Sequence, residues 1–172
     1  MVNDAETGAR NAEADKTNDP GYCQQQTRMW SGIPSRYPDA STAWRNTNDR
    51  YPGNRNPPRG AHVFWTGGSH GYGHVAMSLG GGKVRSTDAG GAGKVATVDL
   101  GWVESAWGLP YAGWACTYPP HPDVRTECSP DPTHPQGRVP CPPGGAGGRG
   151  TPGGYLGGRC FGLSFQRIQS SS

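Results

Sequence analysis

Apolar positions recur with two different periods along this chain. In residues 22–30, Tyr22, Gln26, Met29 and Trp30 fall at helical spacing, with no Gly or Pro between them. Asn18-Asp19-Pro20-Gly21 in front reads as a turn that opens a helix, and Ser31-Gly32-Ile33-Pro34 ends it. A second short helix is predicted from Asp39 through Trp44 to Asn48, followed by a loop over 51–60. From Ala61 the period drops to two. Ala61 to Trp65 reads as a strand, and Gly67 to Gly73 as a flexible connector. In the next strand, Val75, Met77 and Leu79 point one way and His74, Ala76 and Ser78 the other. Gly80-Gly81-Gly82 makes a hairpin turn into a strand from Lys83 to Asp88. A fourth strand is expected from Lys94 to Asp99, then a helical turn from Val103 to Trp107. A helix followed by an antiparallel meander is an α+β arrangement, with N-terminal helices packed on a small sheet.

Composition divides the chain further. All six Trp lie at or before Trp114, so the large core-forming side chains are concentrated there. The 58 residues from Ala115 onward hold 11 Gly and 10 Pro, too few apolar groups to offset the entropy of ordering them. The expected organisation is a loose leader over 1–20, one small domain over 21–114, and a Gly/Pro-rich irregular tail or linker over 115–172. About 95 residues suffice to fold as one domain.

No apolar run approaches the roughly 18 residues of a membrane span, and the polar first twenty residues lack the apolar centre of a secretion signal. Net charge is +3, with no dense basic run, which argues against nucleic acid as partner. Gly80-Gly81-Gly82-Lys83 is a poor phosphate loop: Met77 stands where the upstream Gly belongs, and Val84 where Ser or Thr should follow Lys. The five cysteines are Cys23 in the folded part and Cys116, Cys128, Cys141 and Cys160 in the tail. The tail spacings lack the close pairs of a zinc site, so no metal or cofactor is expected.

The chemistry-bearing residues are few. Cys23 stands at the first turn of a helix, where the dipole favours a thiolate. His74 opens a strand just after a Gly-rich loop. Asp88 ends the next strand across a hairpin. A nucleophilic thiol needs a base to take its proton, and the base needs an acceptor on its second nitrogen. Ser86 shares the strand with Asp88 and competes for that third place. His62 and His70 compete for the base, although His70 lies in the mobile connector. Tyr22, Trp65 and Tyr72 are candidates to line a substrate groove.

The order of Cys23 at a helix start, then Pro-Arg-Gly-Ala-His-Val-Phe-Trp, then Gly-His-Val-Ala-Met-Ser-Leu-Gly-Gly-Gly-Lys-Val, resembles the papain-like cell-wall hydrolases of the NlpC and CHAP type. The resemblance covers roughly residues 18–114. Gly73-His74-Val75-Ala76 with its hairpin is its most specific piece. Two departures stand out: His62, where many relatives carry Asp, and the third site residue, here Asp88 or Ser86. The resemblance implies Cys23 as nucleophile, His74 as general base and Asp88 as the group orienting His74. It also implies a cysteine peptidase or amidase acting, as a monomer, on bacterial peptidoglycan. A start without a signal then points to a phage-lysin-like enzyme or virion component, made in a host cytoplasm and acting on the wall after release. The alternative from another class is a non-catalytic phage structural or wall-binding protein on the same fold.

Overall fold

Helix α1 (Ala5–Ala14) starts where Asp4 accepts the Thr7 N–H at 2.7 Å. In this computed structural model, which describes residues 3–47 and 50–116, α1 lies inside the segment expected to be a loose leader. Its inner face is made of small residues: Gly8, Ala9 and Ala12 are buried, so the helix backbone approaches the sheet closely. Polar ties then fix it. Arg59 donates to Glu6 at 2.7 Å and to Glu13 at 2.8 Å. The buried Arg85 guanidinium donates to the carbonyls of Ala12 (2.9 Å) and Asp15, capping the helix's C-terminal end. Beyond α1, Lys16 accepts the Val95 N–H and Thr17 bridges Lys94. The leader is thus an integral layer of the domain. The helical pattern of α1 is nearly as amphipathic as that of α2; its apolar face is made of Ala and Gly, and the polar composition of residues 1–20 masks it.

Helices α2 (Cys23–Trp30) and α3 (Ala40–Asn46) form where their spacing predicts, and Asp39 caps α3 by accepting the Thr42 N–H. Six strands follow: β1 (Arg50–Pro52), β2 (His62–Trp65), β3 (His74–Gly80), β4 (Lys83–Ser86), β5 (Ala96–Asp99) and β6 (Tyr111–Ala115), with α4 (Trp102–Trp107) between the last two. They make one antiparallel sheet in the order β1-β6-β2-β3-β4-β5. The fold is α+β, as expected.

β2 to β5 are the predicted meander. The β3–β4 turn has Gly81 and Gly82 at φ of 59° and 74°, the positive pair that a two-residue hairpin matching strand twist requires. β1 and β6 were not anticipated. β6 ends at Ala115, so the folded unit reaches past the expected domain limit; residues 117–172 lie outside the described residues, and Cys128, Cys141 and Cys160 with them.

The alternation read in β3 is realised across the sheet. On one face Phe64, Val75 and Ala115 pack with Trp44, Ala40 and Ile33. On the other, Val63, Trp65, Ala76, Val84 and Trp114 pack with Leu100, Val103 and Leu109. None of the described helices is long and apolar enough to cross a membrane.

Candidate active site

Helix α2 docks on the sheet through two side chains one turn apart. The Val75 N–H donates to Cys23 Sγ at 3.4 Å, and Thr27 Oγ1 donates to the Val75 carbonyl at 3.4 Å. Residues four apart share a helix face, which is why a single strand residue can engage both. Neighbouring β3 residues alternate in direction: Ser78 turns its N–H and C=O toward the β2 side, bonding Ala61 and Gly60. Val75 therefore turns its own toward the β4 side. The β3–β4 pairing runs only from Gly80–Lys83 to Met77–Arg85. Beyond that point, α2 takes the place of the departing strand.

Backbone N–H groups lie in the plane of a sheet. The sulfur that takes one here is buried, 1% exposed, and packs with Ile33, Ala40, Phe64 and Val75 on the face opposite the His74 and Trp65 side chains. The peptide it touches is the one joining His74 to Val75. Bond geometry alone then puts Sγ within about 6 Å of the His74 Cα. The approach between positions 23 and 74 is thus one of sulfur to backbone, while the His74 ring extends to the face of Trp65.

No side chain caps α2, and its dipole is directed at position 23. A Val75 N–H at the sulfur adds a second influence favouring a thiolate. However, Cys23 is disulfide-bonded here, as is Cys116. In that state the sulfur is not a nucleophile, which departs from the expected free thiol.

His74 is buried on the face of Trp65, its β2 partner in register. Its Nε2 lies 2.8 Å from Ser86 Oγ. Ser86 Oγ in turn donates to the Thr87 carbonyl at 3.2 Å. A hydroxyl has one proton, so both contacts are made together only when Ser86 gives it to Thr87 and accepts from His74. In that arrangement the imidazole carries its proton on Nε2 and its lone pair on Nδ1. Burial pushes the His74 pKa down to about 4, with the Asp88 charge opposing. The ring is accordingly neutral at pH 7.

Asp88 does not make the contact expected of it. The hydrogen bond to His74 belongs to Ser86, while Asp88 turns to the loop ahead of Cys23. Its carboxylate accepts from Gly21 N–H (2.9 Å), Asn18 Nδ2 (2.9 Å) and Gly93 N–H (2.7 Å). Its backbone has φ of 59°, a conformation Asp tolerates better than most residues. Asp88 is thus a clamp between the β4–β5 connection and the turn that launches α2. Ser-Thr-Asp reads as an ordinary strand end in sequence, so only the three-dimensional fold separates the two roles.

The other expected residues divide. Trp65 is fully buried, packed against Tyr111 and His74, and cannot wall a groove. Tyr22, the N-cap of α2, and Tyr72 are half-buried, with Tyr72 against His70 at 5.4 Å between ring centres. His62 is excluded as base. It projects from the opposite face, where its Nε2 meets Ser31 Oγ at 2.8 Å. Trp107 was not anticipated. From α4 it packs edge-on against His74 at 5.0 Å and 78°. Nothing local in the sequence marks that contact, since the two residues are 33 positions apart. No group of three or more His, Cys, Asp or Glu among the described residues is placed to hold a metal ion.

No family model and no curated protein matches this chain. Among solved structures, it is similar to the crystal structure of the P60 domain from an antigen of M. avium subspecies paratuberculosis. The identity is 18%, over 63% of this chain and 92% of that one, with a TM-score of 0.42.

Proposed function

We propose that the reduced protein is a cysteine hydrolase of the NlpC/CHAP type, cutting peptide or amide bonds of bacterial peptidoglycan. The observation that carries this reading is the hydrogen bond from the His74–Val75 peptide to Cys23 Sγ, at a strand position whose imidazole is held by Ser86. His74 Nδ1 takes the thiol proton. The thiolate attacks the carbonyl carbon of the scissile bond, and the oxyanion is met by N–H groups of the first turn of α2. The imidazolium then gives its proton to the leaving amine. Water, deprotonated at the same Nδ1, attacks the thioester and returns free Cys23 and a carboxylate. Ser86 holds the ring in the required tautomer, and Tyr22 and Tyr72 flank the approach. A phage-lysin-like setting, with the protein reaching the wall after release, fits this activity.

The disulfide at Cys23 favours a second reading, a non-catalytic structural or wall-binding protein on the same fold. One experiment separates them. Purified peptidoglycan is incubated with the thiol-reduced protein, and fragments are read by mass spectrometry. New amine and carboxyl ends that vanish in Cys23→Ala and His74→Ala support the hydrolase and name the bond. Wall binding without new ends, unchanged in Cys23→Ala, supports the binder.

A further inference from the structure

We propose that Trp107 is a positioning residue for His74: its indole fixes the tilt of the imidazole about the Ser86 hydrogen bond and keeps water off the ring. This rests on the reading of His74 as the base. One hydrogen bond at Nε2 leaves an imidazole free to tilt about the N···O line, so Nδ1 would hold no fixed direction. Two aromatic rings restrict that freedom. Trp65 lies 5.9 Å away at 47°, from within the sheet. Trp107 lies 5.0 Å away at 78°, an edge-to-face contact supplied by a separate element.

That element is built to aim it. Val103 anchors α4 in the core, Glu104 pairs with Arg55, and Gly108 at φ of 66° stops the helix one residue after Trp107. Trp102 packs against the indole at 5.0 Å and 75°, so it cannot swing outward freely. Among the described residues, the charged group acting on the imidazole is Asp88, beyond β4. Trp65, Ser86 and Trp107 bring no charge. Water exclusion by Trp107 therefore accounts for part of the burial that holds the imidazole neutral.

The test is an NMR titration of the full-length chain carrying 15N-labelled histidine, with His74 assigned by its loss in His74→Gln. In Trp107→Ala, the His74 midpoint should rise by about 1 pH unit or more, and the Nε2–H tautomer should lose its predominance. Trp107→Phe, which keeps an aromatic edge, should restore most of the wild-type titration. Trp102→Ala, which removes only the outer ring, should move it far less. An unchanged His74 midpoint in a folded Trp107→Ala overturns the proposal, as does an equal shift in Trp102→Ala. If Trp107→Ala does not fold, Trp107→Leu takes its place under the same criteria. The readout needs no turnover. A shifted imidazole in a protein that cuts no wall would sink the hydrolase reading and leave this one standing.

Discussion

Cys23 Sγ accepts the Val75 N–H at 3.4 Å, in the position where a neighbouring strand's carbonyl would otherwise lie. The sheet opens between β3 and β4, and the start of a helix enters the gap. Cleavage chemistry at that point depends first on the state of the sulfur.

With Cys23 oxidised, the protein should neither cut peptidoglycan nor react with iodoacetamide at position 23. After treatment with a dithiol, both should appear together. Peptide mapping of the alkylated protein checks this. Hydrolysis by a protein whose Cys23 remains unmodifiable would defeat the assignment of the nucleophile.

Ser86→Ala removes the acceptor of a buried imidazole N–H. The expected loss of stability is about 1–3 kcal/mol, the cost of stranding one buried donor. Activity on peptidoglycan should fall more than ten-fold, because the tautomer is no longer enforced. Ser86→Thr, which keeps the hydroxyl, should recover part of it. Denaturant titration and initial rates on the same preparations separate the two effects.

Asp88→Gly keeps the positive φ but deletes the carboxylate and its three hydrogen bonds. Loss of about 2–4 kcal/mol is expected from charge-assisted bonds of this kind. Amide hydrogen exchange should speed up at Gly21 and Gly93 while β2 and β3 remain protected. Unchanged protection at those two glycines would show that the clamp is dispensable.

Acid should weaken the fold through two imidazoles. Burial pushes His62 and His74 down to about 4, from 6.5 for an exposed group. The unfolded chain therefore binds more protons than the folded one between these values. Stability is complete above about pH 6.5, falls as pH drops toward 4, and then levels off. The loss is on the order of 3 kcal/mol for each ring. Urea midpoints measured from pH 7.5 to 4 should show this slope, and a folded His62 variant lacking the imidazole should show about half of it.

Deleting residues 1–16 should lower the thermal midpoint by roughly 10 °C or more, if the product folds at all. The deletion exposes the surface under Ala9 and Ala12 and leaves the buried Arg85 without its carbonyl partners. A truncated chain with native stability would restore the view of this segment as a loose leader.

What the sequence made legible was whatever depends on near neighbours. α2, α3 and the β3–β4 hairpin carry their periods and turn residues within a few positions. α1 escaped although its pattern is amphipathic, because its apolar face is Ala and Gly inside a polar stretch. β1 and β6 escaped because each is a strand only by virtue of a distant partner: Tyr51 stacks on Trp114 at 3.9 Å across 63 positions of chain. The roles of Asp88, Ser86, Trp65 and Trp107 turn on which way side chains point at a strand end and on packing between separate elements. No local pattern encodes either.

The placement of β6 between β1 and β2 bears on how the molecule is made. A ribosome delivers β1 and β2 long before the strand that lies between them. Until residues 111–115 leave the exit tunnel, the nascent sheet has a hydrogen-bonding vacancy along β2, an open edge that chaperones or a neighbouring polysome chain could occupy. The central sheet is thus completed from the C-terminal side, and its cooperativity is withheld until synthesis of this unit is nearly over.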